Sequence, residues 1–353
     1  MQNSKRLKLD ESVMKRDYVK AKECLYPVLA DDLIIDTPLT EVYVDSISNP
    51  KNTSKVIVEL NSVLPLPEML HLKRVKGQEV LLFPIEKTDR NSVHSILQQM
   101  NFDTALLKNH VRTTSVAKVP PKTRLQYETA HKLWPCNFHS NKYLEKLATN
   151  TLFTADELQS HVLYMRVAVD VARHAKNFFF NGPQIGAVVV DPSINSVVAV
   201  GYQQTNRGPC YHAAMVAIDN VARTQNGGAL SPEGPEKRLG DLDLRGLPLE
   251  LLEILQNRHP MIRFGASRFK TKEELVAPAD GPYLCTGYCV YLTREPCVMC
   301  AMGLIHSRVK RVFYGARSSN GALGSLCKIH TVKDLNHHYE VWGGLLEEEC
   351  SDL

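Results

Sequence analysis

No apolar run in this chain approaches the roughly 18 residues that a membrane-spanning helix needs, and its first residues lack a secretory pattern. Both absences argue against a membrane partner. There is no internal repeat, which argues against a solenoid or propeller. Neither sign of charge dominates: 42 Lys and Arg stand against 38 Asp and Glu. Cysteines number nine, an odd count, and two of them form a tight Cys297-x-x-Cys300. That fits a reducing compartment and a metal site better than a disulfide framework. At 353 residues there is room for two domains with sizeable cores.

The small positive excess is uneven. Residues 1–150 carry 22 basic against 17 acidic side chains, the remainder 20 against 21, and the stretch 71–146 alone 13 against 6. A basic N-terminal domain beside a near-neutral one points to an anionic polymer as ligand; the plainer reading is a solvated, lysine-rich surface. Residues 1–35 are polar and mixed in charge and read as a flexible tail. Within them, Lys5-Arg6-Leu7-Lys8 has the make-up of a short nuclear-import cluster, a pattern that also arises by chance.

From 36 to 150 the pattern predicts a small α+β domain. Glu41 to Asp45 alternates like a strand, Asn52 to Leu64 is spaced like an amphipathic helix, and His71 to Lys76 reads as a basic strand. Val80 to Phe83 is an apolar strand and Ser92 to Met100 a second helix. That order, β-α-β-β-α, fits a ferredoxin-like sandwich. Pro120 to Arg124 reads as a connector. The second domain, 151–353, opens with Thr154 and Glu157 in a capping box before a long helix to about Lys176. Apolar strands follow at Ile185–Val190, Ser196–Gly201, Tyr288–Leu292 and Arg311–Tyr314, alternating with helices at His212–Arg223 and Cys297–His306. Such alternation predicts a three-layer α/β/α domain around one sheet. An insertion at 224–282, rich in Gly, Pro and charge, reads as a surface excursion with one helical piece around Leu247 to Asn257.

Two short motifs carry chemistry. Pro296-Cys297-Val298-Met299-Cys300 and His212-Ala213-Ala214 stand where nucleobase deaminases have P-C-x-x-C and H-x-E. In that signature one His and two Cys hold zinc, and the Glu, which is no ligand, moves protons between a metal-bound water and the base. His212, Cys297 and Cys300 are therefore the candidate zinc ligands, both motifs opening predicted helices whose N-termini favour thiolate. Ala214 occupies the acid–base position and has nothing to titrate. A redox pair, or a four-cysteine knuckle completed by Cys285 and Cys289, is the competing reading of the cysteines. The fourth ligand is open; Cys350, after Glu347-Glu348-Glu349, is one candidate beside water.

The stretches Pro282 to Tyr288, Leu292 to Met302 and Ile305 to Arg308, with Asp334-Leu335-Asn336-His337, resemble the non-catalytic subunit of the eukaryotic heterodimeric tRNA adenosine-34 deaminase. The likeness is specific over about 155–350 and one of layout over 36–150. It implies a cytidine-deaminase-like fold, a partner subunit that retains H-x-E, and adenosine-to-inosine conversion at the wobble position of tRNA. It also implies that this chain is inactive alone, lends an interface, and grips tRNA through its first domain. The candidate RNA contacts are Lys73, Arg74 and Lys76, then Arg112, Lys118, Lys122 and Arg124; each could equally be a solvated surface charge. Nucleus and cytoplasm are the expected locations. The separation of His212 and Cys297, 85 positions, exceeds the spacing of compact deaminases, which leaves the insertion's role open. Two alternatives stand beside this reading: a zinc-stabilised RNA-binding adaptor with no deaminase partner, and a free-standing nucleotide deaminase with an unrecognised base.

Overall fold

A computed structural model describes residues 18, 19, 21–175, 183–230, 238, 239, 241–268 and 283–353. The cluster Lys5 to Lys8 lies outside them. The chain divides into two compact units, Ala30–Leu152 and a larger one made of Met1–Leu29 together with Phe153–Leu353.

The smaller unit is a four-stranded antiparallel sheet in the order Val75–Lys76, Glu79–Pro84, Leu39–Ser46, Arg112–Ala117. With helices Thr53–Val63 and Val93–Gln99 between the strands, this is the ferredoxin-like arrangement. Those helices bury Val56, Leu60, Val93 and Leu97 against Tyr43, Val80 and Leu82. The other face, carrying Val42, Val44, Leu81 and Val116, is covered by Ala130 and Trp134. They belong to helix Arg124–Leu133 and its end, a helix not predicted after the Pro120 to Arg124 connector. A full capping box, Thr123 with Gln126, starts that helix. The basic strand expected over His71–Lys76 shrinks to two residues. Lys73 N–H donates to Pro135 O at 2.8 Å instead, and the Trp134 indole donates to Lys73 O at 2.7 Å.

The larger unit has a seven-stranded sheet. Its order is Tyr26–Pro27, Glu340–Gly343, Arg311–Ala316, Cys289–Arg294, Gly186–Asp191, Ser196–Tyr202, Arg263–Phe264. Alternate residues sort the two faces. Ala187, Val189, Val290, Leu292, Val312 and Tyr314 pack with Ala213, Ala217, Ala301 and Leu304 of helices Ala213–Thr224 and Val298–His306. On the other face, His161 of helix Ala155–Ala175 meets Phe313 at 4.3 Å between ring centroids and Tyr291 through a 2.7 Å hydrogen bond. The capping box expected at Thr154 is present, with Glu157 Oε2 accepting from Thr154 N at 2.8 Å. Layers on both faces of one sheet make the α/β/α architecture.

Two expectations need correction. The flexible tail over 1–35 ends earlier: Tyr26 pairs with Gly343 and Pro27 with Trp342, and Asp31–Ile34 is a short helix. Backbone pairing with a distant strand supplies an order that the local polar sequence hides. The 224–282 insertion is more than a surface excursion. Its Arg263–Phe264 runs parallel to Ser196–Val197 as the sheet's outer strand, and the helical piece expected around Leu247 to Asn257 is helix Leu249–Arg258, which buries Leu251, Leu252 and Leu255.

Candidate metal centre

Two helix N-termini converge under the C-terminal ends of the strands. His212 and Cys297 each hold the N-cap position, with extended backbone, and Cys300 sits one turn into the second helix. Close packing makes this convergence possible. At Gly201 a Cβ would lie 2.5 Å from Ala213 O, so only glycine lets the His212 helix approach its strand. Asn220 Nδ2 then pins that helix by donating to Val200 O at 2.7 Å.

His212 Nδ1 lies 3.6 Å from Cys297 Sγ and 3.5 Å from Cys300 Sγ. One ring N–H cannot serve both sulfurs well, but one cation can. A tetrahedral zinc with bonds of about 2.3 Å to sulfur and about 2.05 Å to nitrogen spaces those atoms by about 3.5 Å. The donor set therefore fits zinc in chemistry and in spacing. Among the described residues, His212, Cys297 and Cys300 are the group of three whose ligand atoms all lie within 4.8 Å of one another. Burial first, then Cys297, pushes the Cys300 thiol above its usual range, and the Met215 backbone N–H pulls the other way. A coordinated cation reverses that balance by displacing the thiol proton outright.

None of the alternative cysteines, Cys285, Cys289 and Cys350, joins the group. Cys285 is buried in the core, with its thiol pushed up to about 12 by burial. Cys350, the candidate fourth ligand, is on the wrong face of the sheet. Its Sγ lies where a Cβ at Gly315 would be, 2.3 Å away, and Gly315 alternates with Tyr314, which faces the metal helices.

Beside the triad opens a cleft of about 330 Å³ lined by Ile185, Leu292, Arg294 and Ser318 to Asn320, with Ala214 in its wall. Ala214 is 3% exposed. Among the described residues, the one carboxylate side chain lining the cleft is that of Glu295, which the sequence reading did not single out although it directly precedes Pro296-Cys297. Its oxygens accept from the backbone N–H groups of Ser318 at 3.2 Å, Leu323 at 3.0 Å and Ser325 at 3.0 Å, and from the Ser325 hydroxyl. Glu295 therefore clamps the 318–325 loop and has no spare lone pair aimed at a substrate. The arrangement can hold a divalent cation, yet among the described residues lining the cleft no carboxylate side chain is placed to shuttle protons, a role worth about 10²–10⁴ in rate.

The candidate RNA-contact residues belong to the smaller unit, and their side chains fall into two groups. Lys73, Lys118 and Arg124 are exposed, with no side-chain partner among the described residues. The others are engaged. Arg112 is forked onto Glu79, Lys122 Nζ meets Asp32 at 2.5 Å, and Lys76 Nζ donates to Leu133 O at 2.7 Å. Arg74 is the most withdrawn: Nη1 donates to Leu64 O at 3.0 Å and burial lowers its guanidinium to about 10.

Comparison with known proteins agrees with this geometry. Residues 158–316 match the cytidine and deoxycytidylate deaminase zinc-binding region, and residues 40–134 match the tRNA-specific adenosine deaminase TAD3 N-terminal domain. A probable inactive tRNA-specific adenosine deaminase-like protein 3 from Danio rerio is 35% identical over 96% of each chain. Its Homo sapiens counterpart is 36% identical over 92% of this chain and 90% of its own. The tRNA-specific adenosine deaminase TAD3 of Arabidopsis thaliana is 27% identical over 89% of this chain and 93% of its own. With both units matched, the metal triad assembled and alanine at the acid–base position, the chain belongs to the TAD3-like, catalytically inactive branch of the tRNA-specific adenosine deaminases, within the cytidine deaminase superfamily.

Proposed function

We propose that this chain is the zinc-holding, non-catalytic subunit of a heterodimeric enzyme that converts adenosine to inosine at wobble position 34 of tRNA. The observation that carries the reading is Ala214 beside a complete triad: the donor atoms are spaced for zinc while the proton carrier is missing. Zinc at a complete site of this kind would supply an activated water. Here His212, Cys297 and Cys300 hold the two helix ends together, and the chemistry falls to a partner chain that retains H-x-E. The ferredoxin-like unit supplies phosphate contacts away from the reacting base, through Lys73, Lys118 and Arg124 and then the other basic candidates. Work on tRNA in both nucleus and cytoplasm suits the basic cluster at Lys5 to Lys8.

The test is inosine formation at position 34 with this chain alone, the partner alone, and the co-purified pair. The expected result is activity in the pair only, unchanged by Ala214→Ser and abolished when the partner's Glu is replaced. Turnover by this chain alone would overturn the proposal.

A further inference from the structure

A sheet edge can pair with another chain, and short edge strands guard against it. The seven-stranded sheet ends in Tyr26–Pro27 and Arg263–Phe264, and a three-stranded sheet within the insertion ends in Ala266–Ser267 and Arg238–Leu239. The four-stranded sheet ends on one side in Val75–Lys76. All of these are two residues long. The remaining edge, Arg112–Ala117, has six residues, pairs with Leu39–Val44 without a bulge, and contains neither proline nor lysine.

The ladder identifies the groups on that edge. Lys118 N–H donates to Pro38 O at 2.7 Å, and the register continues as Ala117 with Leu39 and Val116 with Thr40. Bonded pairs alternate in an antiparallel ladder, so Val116, Thr114 and Arg112 bond inward while Ala117, Ser115 and Thr113 point their N–H and C=O outward. His71 Nε2 donates to Ala117 O at 2.9 Å and closes one end. Among the described residues, the main-chain groups of Thr113 and Ser115 have no partner on the outer side.

Donors and acceptors alternating at strand spacing are matched by another strand, not by a phosphate backbone. Charge then selects the strand. From Thr104 to Tyr127 the sequence has five Lys or Arg and no Asp or Glu. Glu79 and Asp32 hold Arg112 and Lys122, while Lys108 and Lys118 are exposed, one beyond each end of the edge. The nearest carboxylate in the ladder, Glu41 opposite Ser115, is one strand inward. We infer that Arg112–Ala117 is a docking edge for an extended acidic segment of a partner protein, which adds as a fifth strand with its carboxylates towards Lys108 and Lys118.

The experiment is fluorescence anisotropy of the full chain with two labelled peptides. Both have a core of alternating valine and threonine, one flanked by glutamates and the other by lysines. The glutamate peptide is expected to bind roughly tenfold more tightly than the lysine peptide. Ser115→Pro removes an outward N–H and leaves the inward ladder whole, so the chain still folds and the glutamate peptide weakens by roughly tenfold or more. Lys108→Glu combined with Lys118→Glu reverses the preference between the peptides, a result that does not depend on how proline is tolerated. Hydrogen exchange at the Thr113 and Ser115 amides slows when the glutamate peptide binds. Absent binding of that peptide, equal binding of the two, or full affinity in Ser115→Pro overturns the proposal. RNA is the rival occupant. Binding of tRNA by the co-purified pair is expected to be unchanged in Ser115→Pro, and a loss there as large as the loss for the peptide would assign the edge to RNA instead.

Discussion

Gly321 stands directly against Glu295: a Cβ at Gly321 would lie 2.1 Å from the Glu295 carboxyl carbon. No side chain can occupy that space while the carboxylate keeps its loop contacts. Gly321→Ala should therefore displace a buried, multiply bonded carboxylate and cost about 2–4 kcal/mol. Urea unfolding of the variant measures this. A loss below about 0.5 kcal/mol would show that the loop rearranges freely.

Removing a ligand should uncouple the two helix ends. Cys300→Ser is expected to drop bound zinc from one per chain towards none, and to lower stability by about 3 kcal/mol or more, as loss of a tightly bound ion does. Atomic absorption and thermal melts report the two effects. Chelator treatment of the wild type should bring its melt to that of the variant.

Acid should weaken the fold through His161. Burial, then Arg311, holds its imidazole down to about 3, against the opposing pull of Glu157. The folded chain binds no proton there while the unfolded chain binds one below about pH 6.5. Its stabilising contribution is therefore complete above that pH and is lost as pH falls towards 3, by about 1.4 kcal/mol per unit. His330, lowered to about 4 chiefly by burial, has the same sign. His161→Phe should flatten the fall of the urea midpoint between pH 6.5 and 5 without abolishing it. Parallel curves for variant and wild type would exclude His161 as the source.

Charge removal sorts the basic residues. Lys73→Ala and Lys118→Ala are each expected to weaken tRNA binding by the pair and to lower its salt slope by about one. Arg112→Ala and Lys122→Ala should do less, since Glu79 and Asp32 already hold those heads. Filter binding over a salt series distinguishes them, and equal losses at all four would argue for a diffuse field.

Features with a local cause were legible in the sequence. His212 and the P-C-x-x-C motif announced themselves because coordination demands particular atoms at fixed helical spacing. Long apolar strands such as Gly186–Asp191 were found to within a residue, because a doubly covered strand must be apolar throughout. Three kinds of feature were hidden. Arg263–Phe264 is two residues long and has no period to detect. Strand Arg112–Ala117 is half-exposed and rich in Thr and Ser, and only its pairing with Leu39–Val44 makes it a strand. Glu295 was hidden because its partners lie beyond position 317, brought back by the loop it holds.

Tyr26–Pro27 leaves the ribosome long before its partner strand Glu340–Gly343, with which it pairs across most of the sequence. The large sheet therefore cannot close its edge during synthesis. The ferredoxin-like unit, whose strands all lie between Leu39 and Ala117, can complete its own sheet while the rest is still being made. Until Glu340–Gly343 arrives, the rim at Arg311–Ala316 lacks a neighbour on that side and is open to pairing with other chains. Any truncation that removes Tyr26 to Val28 would make a similar exposure permanent at Glu340–Gly343.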